Sequence, residues 1–174
     1  KYQNRIRPIS ISIIRNDDKI LVYQREDDVT KEKFYRLIGG CIEFGESSKD
    51  ALKREFQEEL SLDLLDIQFI KSFESIFEFN DSKMHEIVYL FDSKFEDKTV
   101  YTKEVISGLE GERVFKAIWL PISIFKEKKE SPKILVKPNK NQARRGGLEK
   151  YPRSGDLDHN QYCASSPYKV KLVK

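Results

Sequence analysis

The sequence predicts an α/β protein, because strand-like segments flank a single strongly amphipathic helix. Runs of β-branched and aromatic residues mark the strands, whereas apolar residues recur with helical spacing between residues 47 and 60. The chain has 174 residues, which suits one domain. Apolar residues make up 39% and charged residues 35%, a composition typical of globular rather than disordered or fibrous proteins.

The N-terminal region predicts a β-hairpin. Residues 8–14 (PISISII) form a β-branched apolar run, and residues 19–24 (KILVYQ) form a second one. The turn residues 16–18 lie between them, so we expect the two strands to pair in antiparallel fashion. A polar loop, residues 26–33, then leads to the short apolar run 34–37 before two glycines.

The central helix is predicted over residues 47–60. Ser47 or Ser48 can cap its N-terminus, and Asp50 lies near the positive end of the helix dipole. One apolar stripe recurs at i, i+4 and i+8 and faces the core; it consists of Leu52, Phe56 and Leu60.

The second half of the domain predicts further strands. Residues 67–79 and 86–95 are strand-like and flank the turn residues 80–82, which indicates a second hairpin. Residues 117–120 (AIWL) predict a short buried strand, and Pro121 can open a short helix after it.

The pattern fades after residue 137, so we expect a folded domain over residues 1–137 and a tail over residues 138–174. The tail is predicted to be loop or poorly ordered, although residues 168–173 alternate and could form an edge strand. It holds eight Lys/Arg and three Asp/Glu, a net charge of +5, which leaves −2 for residues 1–137. A basic tail can attract nucleic acid or a membrane surface, but these charges are scattered, which favours a solvated tail.

Cysteine usage and hydropathy suggest a cytoplasmic protein. Cys41 and Cys163 are too few for a disulfide framework, which favours a reducing compartment. No stretch approaches the roughly 20 apolar residues of a membrane span. Residues 1–14 lack the continuous apolar core of a secretory signal, so we expect no membrane partner.

The predicted helix carries an unusual group of acids. Glu55, Glu58 and Glu59 lie within an arc of about 100° on one face, beside the apolar stripe. Their mutual repulsion is unfavourable, and Arg54 can reach Glu58 but not all three. A hard cation such as Mg²⁺ would relieve it. Taken alone, a solvated acidic face explains the three acids better.

The surrounding spacing changes that balance. Residues 40–62 read Gly, five residues, Glu46, seven residues, Arg54-Glu55, an apolar residue, any residue, Glu58-Glu59, any residue, Ser61 and Leu62. This resembles the signature of the Nudix hydrolase family at every specified position except Ser61, where the family prefers Gly. Gly at this position serves the helix C-terminus, so we expect Ser61 to cost stability of about 1 kcal/mol and not chemistry.

The resemblance implies a fold and a set of roles. It implies an α/β/α sandwich with a mixed central sheet, in which a loop–helix–loop presents glutamates to Mg²⁺, with Mn²⁺ as a substitute. The implied ligands are Glu55, Glu58 and Glu59, with the backbone carbonyl of Gly40 or of its neighbour Gly39 as another. Glu46 and Arg54 resemble the pair that braces the loop against the helix.

The implied reaction is hydrolysis of a diphosphate bond in a nucleoside diphosphate linked to another group. Water attacks phosphorus, and a glutamate must accept its proton. Glu55 or Glu59 can do so. Many relatives use an acid from a later loop, for which Glu110 and Glu112, before the strand at 117, are candidates; plain solvated loop acids explain them equally well.

Substrate contacts are less defined by the sequence. Arg25 and Arg36 can reach phosphates, and Phe77 and Phe79 can stack on a base, although aromatic residues at period two more often belong to a core. The expected partner is a small nucleoside diphosphate derivative, and a homodimer is common in the family. Two alternatives stay open: a domain that senses a nucleotide or sugar nucleotide without cleaving it, and an enzyme that removes RNA caps.

Overall fold

The computed structural model describes residues 5–125, which form a mixed β-sheet with one α-helix packed against it. The strands are β1 (Ile6–Asn16), β2 (Lys19–Glu26), β3 (Lys33–Arg36), β4 (Ile38–Cys41), β5 (Leu64–Phe79), β6 (Ser82–Phe95), β7 (Val105–Glu110) and β8 (Arg113–Pro121). The helix α1 spans Ser48–Leu60, and two short 3-10 helices span Lys98–Thr102 and Ile122–Phe125.

The strands follow the order β5-β6-β1-β2-β8-β7, with β3 added beside β2 and β4 beside β1. β1 runs parallel to β6, whereas every other pairing within residues 5–125 is antiparallel. The predicted mixed sheet is therefore confirmed. The described residues contain one α-helix, so they show one helical layer of the expected sandwich.

The predicted N-terminal hairpin is present only near its turn. β1 pairs with β2 through Arg15 and Asn16 alone. Its earlier residues pair instead with β4 on one side and with β6 on the other. A β-branched run buried on both faces can accept neighbours on both edges, and the sequence pattern does not say which strands these are. This split places the glycines of β4 in the middle of the molecule.

Helix α1 confirms the predicted bounds and the predicted stripe. Ser47 is the N-cap, and its hydroxyl accepts a hydrogen bond from the backbone N–H of Asp50. The stripe residues Leu52, Phe56 and Leu60 are buried in a core with strand residues such as Phe95. Burial of this stripe fixes the rotation of the helix, and the acidic face must then point toward β4 and β7.

The helix ends at Ser61 in the left-handed conformation that the sequence predicts. Its φ is 55° and its ψ 40°. The N–H of Ser61 donates to the carbonyl of Gln57 at 3.0 Å, and the N–H of Leu62 donates to that of Phe56 at 3.4 Å. These bonds satisfy the last carbonyls of the helix, which is why the chain accepts a strained serine there.

The C-terminal part of the domain differs from the prediction in one strand. The second hairpin, β5–β6, is confirmed, with its turn at Asn80 and Asp81. The strand predicted at 117–120 is longer, and only Ala117 of those four residues is buried. It pairs with β7, in a region before residue 117 where the sequence predicts a loop. Glu110 thus ends a strand, and the prediction that it lies in a loop is wrong.

β5 lies at an edge of the sheet and is irregular. Its pairing with β6 shifts register between Leu65 and Gln68 and again between Phe69 and Lys71. Large apolar side chains are exposed in this stretch, namely Leu65, Phe69 and Ile70.

Two predictions concern residues that the structure does not describe. The boundary at residue 137 and the tail 138–174, with its edge strand, lie outside residues 5–125 and stay predictions. Among residues 5–125, no helix has the length and apolar character needed to cross a bilayer.

Candidate active site

The candidate site forms where β4 runs into the loop before α1. A Cβ at Gly39, whose φ is +131°, would lie 2.2 Å from the carbonyl oxygen of Ser10. A Cβ at Gly40 would lie 2.3 Å from the carboxyl group of Glu55. Any side chain at either position would therefore collide with its neighbour. The glycines let β4 approach β1 and let the Glu55 carboxylate lie against the backbone.

Arg54 ties the loop to the helix. Its Nε donates to Glu46 at 2.9 Å, and its Nη2 donates to the same carboxylate at 3.0 Å and to the carbonyl of Cys41 at 3.0 Å. Glu46 also accepts a hydrogen bond from the N–H of Glu43 at 3.1 Å. The hydrogen bonds from Arg54 lower the pKa of Glu46, although partial burial opposes this. A two-point ion pair of this kind fixes direction as well as distance.

The third nitrogen of Arg54 reaches the acidic face. Its Nη1 lies 3.1 Å from Glu55 and 3.0 Å from Glu58. Glu58 is otherwise open to solvent, with 60% of its side chain exposed. The predicted contact of Arg54 with Glu58 is present, and a contact with Glu55 accompanies it. The long guanidinium bridges both acids.

Two of the three acids on this face are buried. Burial raises the pKa of Glu55 to about 7, against the lowering effect of the Arg54 charge. Burial raises the pKa of Glu59 to about 9, and the negative charges of Glu110 and Glu55 add to the rise. One oxygen of Glu59 is buried without a hydrogen-bond partner among the described residues. An unpaired buried carboxylate is costly, and a cation would relieve that cost.

The chemistry of these residues fits a divalent metal. Carboxylate and carbonyl oxygens are the ligands of Mg²⁺, and Glu59 offers an oxygen without a partner while Gly40 leaves room for Glu55. Within residues 5–125, no three Asp, Glu, His or Cys side chains are arranged to hold a metal ion. Glu58, the third acid of this face, is paired with Arg54.

The predicted phosphate-binding arginines lie beside this acidic face in a buried cluster. Arg25 Nη1 is 2.5 Å from Glu110, and Arg36 Nη1 is 3.5 Å from the other oxygen of the same carboxylate. Glu112 lies in the exposed turn that follows and is separate from this cluster. The cluster also includes Tyr23, which the sequence pattern does not indicate; its ring centroid lies 5.3 Å from the Arg36 guanidinium. Only the pairing of β2 with β3 brings them together.

The predicted stacking residues are packed into the protein. Phe77 and Phe79 are 9% and 7% exposed and form a cluster with Phe34 and Met84. The Phe34 and Phe79 rings meet edge to face, with centroids 6.0 Å apart. This packing supports the core alternative given above for aromatic residues at period two.

The chain belongs to the Nudix family. The model of the NUDIX domain matches residues 5–137, well over half of the chain. The NAD-capped RNA hydrolase NudC of Vibrio atlanticus is 37% identical over 68 residues, which cover 39% of this chain and 24% of that protein. The match therefore spans about a quarter of the length of this curated relative.

Solved structures show the same fold. The MutT NUDIX hydrolase from Burkholderia pseudomallei has 20% identity and a TM-score of 0.51, covering 73% of this chain and 89% of that one. The NUDIX hydrolase from Nitrosomonas europaea has 19% identity and a TM-score of 0.51, covering 70% and 76%. The predicted Nudix fold is therefore confirmed.

Proposed function

We propose that this protein hydrolyses a diphosphate bond in a nucleoside diphosphate linked to another group, with Mg²⁺ as cofactor and Mn²⁺ as a substitute. The observation that carries the proposal is the buried acidic face of α1. Glu55 lies against Gly40, and Glu59 keeps an oxygen without a partner. Burial of two carboxylates lowers the stability of a helix that has only a structural role, and a bound cation would offset this cost.

Some of these residues would bind the metal ion, and others would keep the metal ligands in place. Glu55, Glu58 and Glu59 would hold the ion, with the Gly40 carbonyl as a further ligand, and the ion would neutralise the diphosphate and make the attacking water more acidic. Arg54, anchored by Glu46, keeps the acids oriented. Of these acids, Glu55 or Glu59 would accept the proton of that water.

The test is hydrolysis across a panel of nucleoside triphosphates, ADP-ribose, other nucleotide sugars, dinucleoside polyphosphates and capped RNA. We expect one class to be cleaved, with activity lost in chelator and reduced at least about 100-fold in Glu59→Gln, since the substitution removes a ligand charge. Glu104→Gln, an exposed acid before β7, is the matched control. Tight binding of a panel member with no turnover under any metal would overturn the proposal in favour of a sensing domain.

Capped RNA is the second candidate, and two observations favour it. NudC, the partial relative, is named for NAD-capped RNA, and residues 138–174 are basic. Binding through basic residues falls steeply as salt rises. If this candidate holds, the affinity for capped RNA drops at least about tenfold between 50 and 200 mM salt, while hydrolysis of a small dinucleotide changes little.

We also propose a cellular location and an oligomeric state for the protein. We place the enzyme in the cytoplasm, since two cysteines in 174 residues are too few for a disulfide framework. The homodimer expected from the family is tested by light scattering of the full chain.

A further inference from the structure

Glu110 joins two arginines that come from neighbouring strands. Its Oε2 accepts from Arg25 Nη1 at 2.5 Å, and its Oε1 lies 3.5 Å from Arg36 Nη1. All three residues are at least nine-tenths buried. Each carboxylate oxygen faces one guanidinium, so a single acid sets the spacing of two cations.

An aromatic ring packs against Arg36 and holds its side chain in place. The Arg36 guanidinium lies over the ring of Tyr23, which packs against Phe115 with ring centroids 4.5 Å apart. The register of β2 with β3 places Arg36 opposite Tyr23. Arg25 has no comparable support among the described contacts: its close partner is Glu110, and its Nε is buried without a hydrogen-bond partner there.

The cluster adjoins the acidic face of α1. The charges of Glu110 and Arg36 both act on Glu59, with opposite signs. Two arginines and Glu110 alone leave one positive charge in excess, and buried charges persist only where they are paired. This excess positive charge lies beside the face that we propose for the metal.

We propose that Glu110 is a positioning residue, which holds Arg25 and Arg36 as a preformed site for the phosphate oxygens of the substrate, and that it does not accept the proton of water. The inference rests on the proposed function and deepens it. Both Glu110 oxygens are engaged by arginines, and a planar guanidinium group matches the geometry of phosphate oxygens.

The test measures the binding of inorganic pyrophosphate by calorimetry in chelator, so that no turnover is required. Glu110→Gln keeps the shape but removes the charge, and we expect Kd to rise about 10- to 100-fold, as when a supporting partner is lost. Glu110→Asp keeps the charge and should give an intermediate Kd. Glu112→Gln, two residues away in the exposed turn, should match the wild type.

Steady-state kinetics on the cleaved substrate provides a second readout. We expect Glu110→Gln to raise KM while kcat keeps its dependence on pH. An unchanged Kd with a reduced kcat and a lost limb of the pH profile would show that Glu110 acts on the water instead. Tighter pyrophosphate binding would also overturn the inference, because Glu110 would then be competing with the substrate for the arginines.

Folding and the proposed function are separated from this inference by controls. Thermal melts show whether Glu110→Gln folds; if it does not, Glu110→Asp decides, and a wild-type Kd there rules out a positioning role. If the wild type binds no pyrophosphate, the arginine site is wrong even when the enzyme is active. If pyrophosphate binds as expected but no panel member is cleaved, the proposed function fails and the arginine site stands.

Discussion

Ser61 has a left-handed backbone conformation at a position where the Nudix family prefers glycine. A left-handed conformation costs a side-chain-bearing residue on the order of 1 kcal/mol, whereas glycine adopts it freely. Ser61 lies at the end of the helix that carries the acids, but its side chain is outside the acidic face. Its substitution should therefore change stability and leave chemistry alone.

We predict that Ser61→Gly raises the free energy of unfolding by about 1 kcal/mol, because it removes the strain. Urea denaturation measures the change, and kcat should stay at the wild-type value. Ser72→Gly, in the exposed part of β5, is the matched control and should lower stability by about 0.5–1 kcal/mol. Equal effects at the two sites would show that the left-handed conformation is not the cause.

The elements of the fold were predictable where one segment contains its own signal. Helix α1 has a cap, a stripe and a stop within residues 47–61, and the β5–β6 hairpin has its turn residues. β7 was missed because VISGLE is short and contains Gly108, whose position faces the ring of Phe115. The Glu110 cluster was not predicted because its residues come from β2, β3 and β7. The sequence of one strand does not show which other strands lie beside it.

The sequence pattern also does not predict a set of hydrogen bonds that joins two loops. Asp27, after β2, accepts hydrogen bonds from the N–H groups of Val29 and Thr30 at 2.9 and 2.8 Å, and from that of Asn80 at 3.0 Å. Partial burial raises the pKa of Asp27, but these hydrogen bonds outweigh it and lower the pKa below its usual value. Asp27 thus joins the β2–β3 loop to the tip of the β5–β6 hairpin.

We predict that Asp27→Ala lowers the free energy of unfolding by about 2–3 kcal/mol, because several bonds to a charged acceptor are lost at once. Chemical denaturation measures it, and hydrogen exchange should quicken at Val29 and Asn80. Asp28→Ala, the exposed neighbour, removes one side-chain bond to Asn80 and should cost less than about 1 kcal/mol. Similar losses for both variants would show that the loops are not joined through Asp27.

For the whole molecule, the buried acidic face makes stability depend on pH. The pKa values of Glu55 and Glu59 are about 7 and about 9, above their unfolded values near 4.5. The folded state therefore prefers these groups protonated. Their contribution is fully favourable below pH 4.5 and is lost as the pH rises through 7 and then 9.

We predict that the metal-free protein loses stability between pH 5 and pH 9, and that Glu59→Gln loses less, by more than about 1 kcal/mol. Denaturation in chelator at several pH values measures this. Glu104→Gln should follow the wild type. A wild-type curve that stays flat across this range would contradict the burial of an ionisable Glu59.

The two register shifts in the pairing of β5 with β6 affect whether another molecule can add a strand at this edge. A straight edge of this length, with Leu65, Phe69 and Ile70 exposed along it, would be a template for another chain to extend. Because the spacing of its free N–H and C=O groups shifts twice within a few residues, an incoming strand would fall out of step. The irregular pairing therefore makes this apolar edge a poor site for strand addition by a second copy.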